Sequence, residues 1–238
     1  MEKIPWLRFP ALIAIFSAAL SLAFLWSSWP SEILHAQVPA GAQALAAIGK
    51  GGTTGIRTFV WTAQQPAVTN NWRSSPVAVC TLTPPCEFTE TRKGYYVETG
   101  YNKGDNSPRP NVLQQYAAWT SPNPGESGFD WNLGDLSDNT WYKFVVVSDP
   151  TSNLWLIKRG GQQVDSIGIS NIGYGSGRMV DCGAEAGLPG TSIAVQCNNM
   201  QYQYQGTWTL FNYTYAQTTT NYCVDSAGQY DATGYGPC

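Results

Sequence analysis

The sequence predicts an all-β fold, an antiparallel β-sandwich or jelly roll stapled by disulfides. Short aromatic-rich segments alternate with clusters of Gly, Pro, Asn and Asp from Arg57 onward, which is the pattern of strands and turns. No window of eleven residues after Gln37 sustains a helical period, apart from the small-residue patch AGAQALAAIG at 40–49. The six cysteines, an even number, fit a disulfide framework in an exported chain.

The 238 residues divide into three parts. Residues 1–36 read as a signal peptide. Lys3 and Arg8 form a basic start, Ala11 to Trp26 is apolar, and Leu34-His35-Ala36 is a small-residue cleavage site before Gln37. The expected location is therefore secreted and extracellular. The apolar run is shorter than the ~20 residues of a comfortable membrane span, and an uncleaved anchor is the alternative. Residues 37–55, QVPAGAQALAAIGKGGTTG, are unpatterned and read as a linker or N-terminal arm. Residues 56–238 form the sandwich domain, large enough for one sizeable core. Its expected strands are 57–61, 87–91, 94–101, 114–120, 141–147, 153–159, 179–185 and 192–197, then one long strand at 201–215.

Composition removes several functions. The net charge is −3 with no basic run, which argues against nucleic acid or an anionic membrane as partner. The only histidine, His35, leaves with the signal, so the mature chain has no Ser-His or Cys-His pair and no imidazole metal site. Neither an S-x-x-K nor a phosphate-binding glycine loop is present. No metal and no cofactor is expected. The segment Asp130–Asp138 lacks a calcium-loop motif, and no C-x-x-C marks a zinc site. Chain proximity favours the bridges Cys80–Cys86, Cys182–Cys197 and Cys223–Cys238 among the 15 pairings that six cysteines allow.

The remaining chemistry must run on carboxylates, amides, Tyr or Lys. Side chains alternate along a strand, so Tyr96, Glu98 and Gly100 share one face, as do Met179, Asp181, Gly183 and Glu185. A lone Glu among small or aromatic neighbours is a candidate for a raised pKa. The alternative is a Glu on an exposed sheet face. Tyr202, Tyr204, Gly206 and Trp208 alternate onto one face of the long strand, as core or as a sugar-stacking floor.

Tyr96-Val97-Glu98-Thr99-Gly100-Tyr101 resembles the segment of neprosin-type glutamic peptidases that carries a catalytic Glu. Gly104-Asp105 and Tyr116-Ala117-Ala118-Trp119-Thr120 resemble the pieces that follow it. Trp141 to Arg159, with Asp149-Pro150 before Trp155, looks like the family's next hairpin. Gly183-Ala184-Glu185 is similar to the segment holding the second catalytic Glu. The resemblance extends to the fungal-type eqolisins, whose first position is Gln and whose second Glu follows an Ala, as Glu185 does. The sequence departs from the pattern after Glu185, where Ala186-Gly187 stands, and it lacks the extra Glu of the eqolisin aromatic-x-x-Trp segment.

The resemblance implies a concanavalin-like sandwich and an acid-active endopeptidase acting on polypeptide. Glu185 would be the base and Glu98 the acid, on adjacent strands, with Gln115, Tyr116 and Trp119 lining the cleft. The alternative is a non-catalytic carbohydrate-binding or structural lectin-like sandwich, with polysaccharide as partner. A third reading is a glycan-active hydrolase or lyase, although the tight E-x-D-x-x-E strand of such enzymes is absent.

Overall fold

The computed structural model describes residues 42–64, 71–81, 95–104, 107–121, 123, 125–131, 133–169 and 172–238. The expected signal peptide, the strand at 87–91 and Cys86 lie outside them. Among the described residues there is no helix and there are fourteen strands. They are β1 (Ala42–Trp61), β2 (Trp72–Cys80), β3 (Tyr96–Gly104), β4 (Gln114–Trp119), β5 (Gly128–Asp130), β6 (Trp141–Ser148) and β7 (Leu154–Arg159). Then follow β8 (Gln162–Gly168), β9 (Gly177–Ala186), β10 (Ile193–Tyr204), β11 (Thr207–Leu210), β12 (Tyr215–Thr218), β13 (Cys223–Gly228) and β14 (Asp231–Gly236).

All pairings are antiparallel, and β1 belongs to both layers of the sandwich. Its first half pairs β9 and β12, giving the layer β12-β1-β9-β2-β3-β4-β5. Its second half pairs β6 and β10, giving β8-β7-β6-β1-β10-β14-β13, with β11 beside β10. The register with β9 slips between Gly49 and Thr53, where the strand passes from one layer to the other. The core lies between the layers. Ala42, Ala44, Ala46, Val77, Val79, Val97, Val180 and Ala184 come from one side, and Ile56, Val60, Phe144, Val146, Ile157 and Val195 from the other. Trp155 is fully buried and satisfies its indole by donating from Nε1 to the Ile172 carbonyl at 2.6 Å. A side chain of this size contributes ~2–3 kcal/mol by burial.

Two bridges match their expected partners. Cys182 on β9 joins Cys197 on β10 across the core, with 6.4 Å between their Cα atoms. Cys223 joins Cys238 and holds the C-terminus against β13. Cys80 is also in a disulfide.

Two expectations are corrected. Residues 42–55, read as linker, are the first half of β1 and pair on both edges. Alanine suits the inward positions 42, 44 and 46, which are buried in the core between the layers. The expected strand 201–215 is not continuous. Gln205 and Gly206 both take positive φ, 47° and 78°, and form the two-residue hairpin turn between β10 and β11. Trp208 therefore pairs with Gln203 and not with the face of Tyr202 and Tyr204.

Candidate active site

The face of the first layer that points away from the core carries the carboxylates. Direct cross-strand partners share a face, so the register places the site residues in rows. One row holds Asp181 on β9, Ala78 on β2, Glu98 on β3 and Ala118 on β4. A second holds Gln43, Glu185, Ser74, Asn102 and Gln114 on β1, β9, β2, β3 and β4. Between them run Leu45, Gly183, Pro76, Gly100 and Tyr116.

Glu98 and Glu185 therefore share a face but not adjacent strands. β2 stands between them, which separates their backbones by two strand spacings, about 10 Å, across the sheet, and Glu98 is level with Ala78 while Glu185 is level with Ser74, about 13 Å further along β2. In the row between them Gly183 and Gly100 carry no side chain, Pro76 lies on β2, and the charge of Glu185 reaches Glu98 across it. Both glycines are obligatory for packing as well. A Cβ on Gly183 would lie 2.1 Å from the Ala44 carbonyl oxygen, and one on Gly100 would lie 1.7 Å from that of Ser75.

The electrostatics are those of a carboxylate cluster held out of water. Glu185 and Asp181 are buried, at 7% and 3% exposure, while Glu98 is half-buried. Burial pushes Glu98 well above the usual carboxylate range, and the charges of Glu185 and then Asp181 push it further. Tyr116 acts in the opposite sense, its hydroxyl donating to Glu98 Oε1 at 3.1 Å. Burial raises Glu185 to about 7. Asp181 is also raised well above its usual value, by burial first and then by Glu185. Burial and the neighbouring carboxylates likewise hold the hydroxyls of Tyr96 and Tyr116 protonated, well above 10.

Tyr116 stacks on Phe129 of β5, with ring centroids 5.1 Å apart, and Phe129 on Trp131 at 3.7 Å, walling the site at the β5 edge. Tyr96 packs at the other end against Ala47, Cys80 and Met179. Two buried acceptors on this face, Asn102 Oδ1 and Gln217 Oε1, have no hydrogen-bond partner among the described residues. No group of three or more His, Cys, Asp or Glu among the described residues is placed to hold a metal ion.

Of the residues expected in the cleft, Tyr116 is on this face. Gln115 and Trp119 occupy the opposite face, because adjacent strand residues alternate. Gln115 is fully buried and donates from Nε2 to Thr99 Oγ1 at 3.1 Å. Trp119 packs on the core and donates its indole N–H to the Glu126 carbonyl. Asp181 and Tyr96 are the members that received no role from the sequence, although each is in phase with its Glu.

No protein-family model matches the chain, and no curated protein sequence matches it. Its structure is similar to that of scytalido-glutamic peptidase with a transition-state analogue inhibitor. The TM-score is 0.57 at 11% identity, over 83% of this chain and 99% of that chain. A second structure of that peptidase, with a peptide-based transition-state analogue, gives a TM-score of 0.54 at 11% identity over the same shares. SCP-B, a member of the eqolisin family in complex with the tripeptide Ala-Ile-His, gives 0.50 at 10% identity, again over 83% and 99%. At these identities the likeness shows a shared β-sandwich fold.

Proposed function

We propose that this chain is an exported glutamic endopeptidase in which Glu98 and Glu185 activate water without metal or covalent intermediate. The observation that carries this reading is the shared face. Two carboxyls held out of water lie on either side of the row that contains Gly183 and Gly100, the charge of Glu185 raises Glu98, and the less strongly raised of them, Glu185, is the one that ionises first. The reacting state has Glu185 ionised and Glu98 neutral. Glu185 takes a proton from a water whose oxygen attacks the scissile carbonyl carbon. Glu98 donates its proton to the carbonyl oxygen as the tetrahedral centre forms. On collapse the C–N bond breaks, Glu185 passes its proton to the leaving amine, and Glu98 recovers its own from a hydroxyl of the tetrahedral centre as that oxygen re-forms the carbonyl.

The similar structures hold a peptide-based transition-state analogue and the tripeptide Ala-Ile-His, which supports a polypeptide as substrate. A Glu at position 98 follows the neprosin-type pattern, where the eqolisins have Gln. The two cross-links fit an oxidising, extracellular compartment.

The raised pKa values shift the expected pH range. The singly protonated pair forms only as Glu185 loses its proton, so the acid limb falls near 7 and not in strong acid. Cleavage of a denatured protein substrate should rise through that pH, persist in chelator and resist serine- and cysteine-directed inhibitors. Glu98→Gln keeps an amide donor for the oxyanion and should retain partial activity, whereas Glu185→Gln should have none. A purified protein that cleaves nothing between about pH 2 and 9, or equal activity in Glu185→Gln, ends this reading.

A further inference from the structure

The outer face of the second layer presents an aromatic platform that the carboxylate site leaves unexplained. Phe59 and Trp141 are 38% and 42% exposed. Trp61 packs beside Trp141, with centroids 5.4 Å apart and planes inclined at 54°. Lys143 sits over the Phe59 ring at 5.8 Å. Arg57 lies over Trp208 at 4.4 Å, and both its Nε and Nη2 donate to Gln201 Oε1, at 3.0 and 2.7 Å. The strand registers put these side chains on one surface. Arg57 is opposite Gln201 and Val145, Phe59 opposite Lys143, and Trp61 opposite Trp141.

Charge tells what would cover it. The strands β1, β6, β7, β10 and β11 contain no Asp or Glu at all, in a chain whose net charge is −3. Burial and then the charge of Arg57 lower the pKa of Lys143, and neither cation has an ion-pair partner among the described residues. Lys158 adds a third cation opposite Val145. The carboxylates that share this face, Asp225 and Asp231, are on β13 and β14 at the far edge, where Tyr235 donates to Asp225 and Asn198 and Asn199 donate to Asp231. Two adjacent cations without a counter-ion are a cost that an anionic ligand removes. The guanidinium is already fixed by Gln201 and the indole, so little side-chain entropy is lost on binding. Flat rings interleaved with cations match alternating sugar faces and acidic groups. From Trp61 to the level of Trp208, opposite Gly55, is six residues of β1, about 20 Å, the length of a short oligosaccharide.

We propose that this face binds an acidic polysaccharide, its pyranose rings stacked on Phe59, Trp61 and Trp141 and its carboxylates paired with Arg57 and Lys143. The site lies on the opposite layer from Glu98 and Glu185 and does not depend on the peptidase reading.

Affinity electrophoresis through gels containing polygalacturonate tests it, with near-UV circular dichroism confirming the fold of each variant. Wild type and Glu185→Gln should be retarded equally. Trp141→Ala and Lys143→Gln should each weaken retardation about tenfold, and fully methyl-esterified polymer should retain the protein several-fold less. Lys143 and Trp141 are partly exposed, so both variants should keep the fold. Dextran sulfate serves as a polyanion without matching sugars. Retardation equal in all variants, or loss on Lys143→Gln with no effect of Trp141→Ala in both polymers, reduces the face to general charge attraction and overturns the proposal. So does an absence of retardation accompanied by a dimer that Trp141→Ala splits, which would make the face a contact between two copies.

Discussion

Replacing Glu185 by Gln separates what the residue does for the fold from what it does for chemistry. The carboxyl titrates near its ordinary 4.5 when the chain is unfolded and near 7 when buried in the site. Its folded pKa is raised, so its contribution to stability is complete below the unfolded value and is lost as pH rises through the folded one. At about 1.4 kcal/mol per tenfold change, moving the carboxyl from 4.5 to about 7 corresponds to about 3 kcal/mol. Glutamine has the same shape and no charge at any pH. The variant and wild type should therefore agree within ~1 kcal/mol near pH 4, while near pH 8 the variant should be more stable by up to ~3 kcal/mol. For a domain of this size that is ~6–12 °C in Tm. Urea unfolding followed by tryptophan fluorescence, with disulfides intact, measures both conditions. A variant destabilised at both pH values would show that the ionised carboxylate is well solvated or paired in the fold. A gap that fails to widen with pH would show that burial does not raise its pKa. Either result removes the physical basis for its role as a base working near neutrality.

Tyr116→Phe deletes the hydroxyl that holds Glu98 down, so the basic limb of the pH–rate profile should move upward and kcat should fall about fivefold for one lost hydrogen bond. An unchanged profile would detach Tyr116 from the pair. Replacing both Cys182 and Cys197 by Ala opens a 15-residue loop and should cost ~3 kcal/mol in denaturant titration. Because β9 carries Glu185 three residues further on, kcat should fall more than KM rises. Gly183→Ala pushes a methyl group into the Ala44 carbonyl and should cost ~3 kcal/mol, at the upper end for overpacking. A variant as stable as wild type would contradict the β1–β9 register.

Local chemistry was legible in the sequence, and long-range pairing was not. Alternation alone puts Glu98 in phase with Tyr96 and Gly100, and Glu185 in phase with Asp181 and Gly183, and the structure keeps both sets on the outward face. The same alternation keeps Gln115 and Tyr116 on opposite faces of β4, so the resemblance to aromatic-x-x-Trp does not by itself place them in one cleft. Nothing local announces that β2 separates β3 from β9, because its WRSSPVAVC contains a proline and lacks the aromatic pattern of its neighbours. The alanine-rich start of β1 carries no β-branched or alternating signature, since its strand character comes from partners more than a hundred residues away. Alternation carries Trp208 onto the face of Tyr202 and Tyr204 only along an unbroken strand, and Gln205 gives no sequence signal of the positive φ that breaks it.

The dual membership of β1 also has a kinetic side. β2, β3, β4 and β5 pair in chain order, each with a neighbour close in sequence. β1 is made before them and finds its first partner only when Trp141–Ser148 has been synthesised, then β9, β10 and finally β12 from Tyr215. Such long sequence separation belongs to slow folders, in the millisecond to second range. Through that delay the apolar segment AQALAAI stays unpaired and open to association with other chains. Moving Ala42–Trp61 behind β14 in a circular permutant would shorten the wait and should speed refolding while leaving the native pairings intact. Faster refolding of that permutant would place the limiting step at β1, far along the chain from Glu185; an unchanged rate would place it elsewhere.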